Sequence, residues 1–142
     1  MRYGWSLEPE HWKILHKLFS ETRWTKVYLD RPYKDSVPSA PGVYIICGKT
    51  TPIGDMGPAL NSLNNAVYVG QSTNLKKRFQ EHVNGYGNVV KAKLTFRRLE
   101  YWWIELGRSE LDKCEQALVT ALGPSANEVN VIKAKVGKPL RI

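Results

Sequence analysis

Apolar residues along the chain recur with two different periods, and the changes between them mark six elements. Trp12, Leu15, Leu18 and Phe19 follow helical spacing within residues 9–20, and Pro9 and Glu10 suit a first turn, which predicts a helix. From Glu21 to Pro41 the prolines Pro32, Pro38 and Pro41 interrupt any periodicity. This stretch reads mainly as connecting chain, with room for a short strand at Val27 to Leu29. Gly42 to Cys47 (GVYIIC) and Ala66 to Val69 (AVYV) are β-branched and aromatic runs closed by Gly48 and Gly70, and they predict two strands. The Gly-, Pro- and Asn-rich connection between them is long for a hairpin, and long loops often carry function. Ser72 or Thr73 then caps a helix running to about Val83, before Asn84-Gly85. Leu99 to Leu106 predicts a third strand, and a last helix starts behind Ser109 and runs to Leu122, before Gly123-Pro124. The order implies an α/β (α+β) fold: a small three-stranded sheet, mixed or antiparallel, flanked by helices, with an extra N-terminal helix.

Composition narrows the class. A chain of 142 residues suits one domain, and 42% apolar with 24% charged residues excludes a mainly disordered state. Twenty-one Lys and Arg against 13 Asp and Glu give a formal charge of +8, which favours nucleic acid or an anionic membrane surface. The excess is local. Lys76, Lys77, Arg78, Lys91, Lys93, Arg97 and Arg98 face only Glu81 within their stretch, although a solvated surface is the plainer explanation. Lys133, Lys135, Lys138 and Arg141 make a second basic stretch, fit for phosphate contacts or simply for solubility. Cys47 and Cys114 are isolated, and His11, His16 and His82 complete no zinc spacing, so neither structural zinc nor a disulfide framework is expected. The polar N-terminus and the absence of a long apolar run lead to the expectation of an intracellular protein with no membrane span. The tryptophans Trp5, Trp12, Trp24, Trp102 and Trp103 are expected to pack rather than to stack on bases.

Polar residues interrupt the apolar rows in two helices. Leu111, Glu115, Leu118 and Leu122 share one row, which sets a carboxylate among core positions, costly unless it is paired or bound to a metal. A bond to a core Tyr or Arg would explain it equally well. Leu75, Arg78, Phe79 and His82 share a face of the earlier helix, with Arg78 and His82 one turn apart. Arg offers a fork of donors to phosphate and His moves a proton near neutral pH, but an exposed Arg beside a satisfied His gives the same pattern. Tyr44 and Tyr68 hold comparable places in the two short strands, where packing is the usual role.

Taken together, GVY at Gly42 to Tyr44, YVG at Tyr68 to Gly70 and QSTNLKKRFQEH at Gln71 to His82, continued by Glu115, Pro124 and Asn127, resemble the GIY-YIG nuclease family. The ordered set spans Gly42 to Asn127 and agrees with the predicted elements. Val stands for Ile in both tripeptides, and the wide separation of Tyr44 from Tyr68 implies an insertion at residues 48–65. The resemblance divides the chain into an N-terminal helix and extension (1–40), a nuclease core (41–128) and a basic C-terminal extension (129–142).

The resemblance implies hydrolysis of DNA phosphodiesters with one divalent cation, Mg2+ (or Mn2+), held through Glu115. It assigns Tyr44, Tyr68, Arg78, His82, Glu115 and Asn127 to catalysis. Arg78 would hold the phosphate, and Asn127 would support a tyrosine or a helix end. Tyr44 or Tyr68 would orient or deprotonate the attacking water; Tyr44 is assigned as the base, helped by Arg78, Lys76 or the cation, or by relay to His82, because a tyrosine pKa of about 10 is too high unaided. Gly70, Lys76, Lys77, Lys91, Lys93, Arg97 and Arg98 form the substrate-binding set, Gly70 by allowing close approach of the backbone. Sequence-specific cleavage of the restriction type, as a homodimer, and structure-selective cleavage of the repair or recombination type, with a targeting protein partner, both fit. A non-catalytic nucleic-acid-binding module is the alternative, disfavoured by the complete residue set. A membrane-surface or protein-interaction domain ranks last, for want of a lysine-rich amphipathic helix.

Overall fold

The computed structural model describes residues 9–49, 66–85 and 98–123. Helix α1 (Pro9–His16) opens the chain and continues into a wider π-helical turn, Lys17–Glu21. Leu15 and Leu18 of its predicted row are buried, but Trp12 and Phe19 are 59% and 40% exposed. The i→i+5 turn takes residues after His16 off the 3.6-residue period, and Phe19 stacks on Trp24 at 5.7 Å.

Strand β1 (Thr25–Tyr28) follows, so the sheet has four strands where the sequence predicts three. The sequence leaves room for a short strand at Val27 to Leu29, and the strand formed starts two residues earlier and ends at Tyr28. Their pairing, from Thr25 opposite Trp103 to Tyr28 opposite Glu100, is a tertiary contact. After a 3-10 turn at Arg31–Ser36 come β2 (Gly42–Lys49), β3 (Ala66–Ser72), α2 (Leu75–Val83), β4 (Arg98–Glu105), a 3-10 turn at Arg108–Glu110 and α3 (Leu111–Leu122). The order across the sheet is β1-β4-β2-β3, with every neighbour antiparallel.

Alternation along β2 divides the core. Tyr44 and Ile46 pack with Leu75, Phe79, Tyr101 and Trp103 on the α2 face. Val43, Ile45 and Cys47 pack with Leu15, Leu18, Ile104, Leu111 and Leu118 on the face of α1 and α3. Ile46 pairs with Tyr68 but Cys47 with Ala66, which leaves Val67 as a bulge. The bulge turns both Val67 and Tyr68 towards the α2 layer.

Asn74, rather than Ser72 or Thr73, caps α2, its side chain accepting from the Lys77 amide at 3.1 Å. Ser72 Oγ is engaged with the Asn74 backbone instead, at 2.8 and 2.9 Å. The predicted helix ends hold: Gly85 (φ 89°) follows α2 and Gly123 (φ 52°) closes α3, left-handed positions that favour glycine. No helix among the described residues is long and apolar enough to cross a membrane.

Candidate active site

Among the described residues strand β3 forms an edge of the sheet, and its two faces meet α2 and α3. Tyr68 and Gly70 point to the α2 layer, and Gln71 points to α3.

On the α2 side, Tyr44 is 1% exposed. Its ring lies 4.9 Å from that of Tyr101 and 6.0 Å from that of Tyr68, both stacked. Its hydroxyl lies 2.9 Å from Nε2 of His82. His82, on the inner face of α2, is 2% exposed, and its ring also lies 5.3 Å from that of Tyr68. Gly70 makes this packing possible. A Cβ built there would stand 2.5 Å from the Tyr44 hydroxyl oxygen and 2.6 Å from Cζ, so the close approach at this glycine is by the tyrosine ring.

Burial pushes the Tyr44 hydroxyl well above the usual tyrosine range, Tyr68 and Tyr101 push it further, and Arg78 acts in the opposite direction. A free phenolate is therefore disfavoured near neutral pH. The hydrogen bond to His82 engages the neutral hydroxyl instead. Arg78 is half-buried one turn before His82, 3.4 Å from Glu81. Its charge bears on both Tyr44 and Glu115, which ties the two faces of β3 electrostatically.

On the α3 side, Glu115 is half-buried, and its partner is neither a core Tyr nor an Arg. Gln71 Nε2 donates to Glu115 Oε1 at 2.7 Å and to Asp112 Oδ1 at 2.6 Å. Burial raises the Glu115 carboxyl above its usual range, the Gln71 hydrogen bond opposes this, Asp112 adds to it and Arg78 opposes it. Oε2 of Glu115 and Oδ2 of Asp112 have no hydrogen bond or ion pair among the described residues. Two carboxylate oxygens are a donor set of the right chemistry for a hard divalent cation that keeps several waters. No group of three or more His, Cys, Asp or Glu side chains suited to a metal occurs among the described residues. Magnesium, commonly held by one or two carboxylates, does not require such a group.

The basic residues are dispersed. Lys76 pairs with Asp35 at 3.7 Å, and Lys77 is exposed on α2. Arg98 donates to Asp30 at 2.7 Å and lies 3.5 Å above the Tyr28 ring. The register Tyr44 to Trp103 and Lys49 to Arg98 puts Arg98 five residues along β4 from the level of Tyr44, about 17 Å at strand rise. The fold does not bring Arg98 to Tyr44. Lys91, Lys93, Arg97, Asn127, most of the 48–65 insertion and the basic extension lie outside the described residues. Sequence reasoning missed Gln71, Asp112 and Tyr101 as neighbours of the site. Asp112 was findable, one helical turn before Glu115, whereas Gln71 and Tyr101 arrive from strands whose register the sequence does not state.

The GIY-YIG catalytic domain family model matches residues 40–130. Several solved structures of the GIY-YIG N-terminal endonuclease domain of UvrC from Thermotoga maritima are similar to this chain. The domain bound to its catalytic divalent cation, magnesium, is 22% identical with a TM-score of 0.47, covering 68% of this chain and 93% of that one. A tyrosine-to-phenylalanine variant, also bound to its catalytic divalent cation, is 22% identical with a TM-score of 0.48, covering 68% and 92%. An asparagine-to-alanine variant is 21% identical with a TM-score of 0.46, covering 68% and 91%. No curated protein matches the chain by sequence.

Proposed function

The chain belongs to the GIY-YIG catalytic domain family, and from that premise we propose that it is a divalent-metal-dependent DNA endonuclease whose core spans residues 41–128. The observation that carries this reading is the meeting, at one edge strand, of the buried Tyr44–His82 pair on one face and the Gln71-bound Glu115 on the other. A module that only binds nucleic acid needs no half-buried carboxylate such as Glu115 near the phosphate. The net charge of +8 suits a DNA substrate.

Glu115 would hold Mg2+ or Mn2+, with Asp112 beside it. When bound, the cation supplies Lewis-acid stabilisation of the phosphate and the departing oxygen. Arg78 binds the scissile phosphate, its guanidinium matching two phosphate oxygens. Tyr44 orients the attacking water. As it takes a proton at its oxygen it passes its own to Nε2 of His82, so no free phenolate has to form in a site that opposes one. Tyr68 packs over this pair, and Asn127 would hold a tyrosine or the helix end by hydrogen bonds. Lys76 and Lys77 on α2, with Lys91, Lys93 and Arg97, contact the DNA backbone, and residues 129–142 add a basic arm. Sequence-specific cutting by a homodimer and structure-selective cutting with a protein partner both fit this core.

Purified full-length protein, supercoiled plasmid and Mg2+ test the reading, beside Glu115→Ala and a chelator control. Cleavage is expected in the first sample alone, with salt-sensitive DNA binding kept by the variant. Discrete fragments indicate sequence-specific cutting, and nicking indicates structured substrates. Undiminished cleavage by Glu115→Ala overturns the metal assignment, and binding without cleavage in every sample supports the non-catalytic module.

A further inference from the structure

Gln71 touches both carboxylates of α3 with one atom. Its Nε2 carries two N–H bonds, and with acceptors at 2.6 and 2.7 Å both are used. Asp112 and Glu115 stand one helical turn apart, where like charges repel, and the neutral amide between them offsets that repulsion without adding charge. The side chain is held from behind. Gln71 pairs with Val43 along β3, next to Gly70, whose missing Cβ seats the Tyr44 ring. One step of strand therefore sets the tyrosine on one face and the carboxylate on the other.

We propose that Gln71 is a positioning residue for the divalent cation, and that Asp112 orients Gln71. This inference rests on the reading of Glu115 as the cation ligand. The hydrogen bond to Oε1 holds the Glu115 carboxylate in one rotamer and leaves Oε2 for the cation. Asp112 decides which end of the amide meets Glu115. With an anion at Oδ1 the NH2 end is held between the carboxylates, whereas an amide turned round would present its own oxygen to Glu115 and repel it. Groups that orient a ligand in this way typically change metal affinity 10- to 100-fold when removed.

Mn2+ binding to the full-length protein without DNA, followed by electron paramagnetic resonance, tests this separately from cleavage. Gln71→Ala and Gln71→Met are expected to weaken Mn2+ binding about 10- to 100-fold, with thermal midpoints near that of the unaltered protein. The methionine fills the glutamine's volume and lacks only its donors. Asp112→Asn keeps an acceptor for Gln71 and is expected to regain most of the affinity lost in Asp112→Ala. Unchanged Mn2+ affinity in Gln71→Met overturns the proposal for Gln71. Equal losses in Asp112→Asn and Asp112→Ala overturn the orienting role, because Asp112 would then act through its charge. Retained Mn2+ affinity in Glu115→Gln overturns the underlying metal reading instead, which keeps the two failures distinct.

Discussion

The Tyr44 hydroxyl and His82 Nε2 are 2.9 Å apart inside a site where neither side chain is more than 2% exposed. At that distance the two are in direct hydrogen-bond contact, the geometry that the proposed proton relay requires. Tyr44→Phe keeps the ring between Tyr68 and Tyr101 and removes only the relay. Cleavage should fall by about 10²- to 10⁴-fold, and the fold should lose about 1–3 kcal/mol because His82 keeps a buried polar nitrogen without that partner. Single-turnover rates and denaturant titrations check both, and a rate within a factor of two of the unaltered enzyme would remove Tyr44 from proton transfer.

Gly70 has the same dependence on Tyr44. A methyl group there meets the Tyr44 hydroxyl at 2.5 Å and the ring at 2.6 and 2.9 Å, and the ring is pinned behind by Tyr101. Gly70→Ala should therefore destabilise by about 1–3 kcal/mol through overpacking and reduce cleavage by displacing the hydroxyl from His82. Gly70→Ala combined with Tyr44→Phe should stay destabilised, because Cζ and Cε1 of the ring, at 2.6 and 2.9 Å from the added methyl group, remain; full recovery of stability would show that the hydroxyl alone is the obstacle.

Arg78 should separate activity from stability. Its ion pair with Glu81 spans 3.4 Å between half-buried partners, of the kind worth about 0.2–1 kcal/mol. Loss of that pair in Arg78→Ala should account for no more than this range in stability, while cleavage drops by about 10²- to 10³-fold. A loss confined to stability would assign Arg78 a packing role only.

Glu115 predicts a pH dependence. Burial leads the causes that raise its carboxyl in the folded protein, so folding favours the protonated form. That contribution is present below the unfolded value and is lost as pH rises through the folded one, leaving the ionised group unfavourable near neutrality. Glu115→Gln stays neutral and keeps an acceptor for Gln71. The metal-free variant should have the higher unfolding midpoint at pH 7, the difference closing towards about pH 4. A difference that grows on acidification would contradict the assignment of burial as the leading cause.

The sequence itself determined what depends on local order. Helix periods, β-branched runs and terminal glycines placed three strands and three helices, since each is a property of neighbouring residues. The motif brought Tyr44, Tyr68, Arg78, His82 and Glu115 into one frame before any coordinate. What tertiary structure alone decided depends on register and side-chain packing. Residues 25–28 become a strand because β4 offers them a partner. Asn74 displaces Ser72 as the cap because Ser72 Oγ is already bonded to the Asn74 backbone. Arg98, counted by charge with the DNA-binding residues, is set against Asp30 at the far end of β4. Gln71 meets Glu115 because β3 lies beside α3, a contact across 44 residues of chain that no spacing rule encodes. Period and capping act within a few residues, whereas a site is closed by contacts whose partners are chosen only when the chain packs.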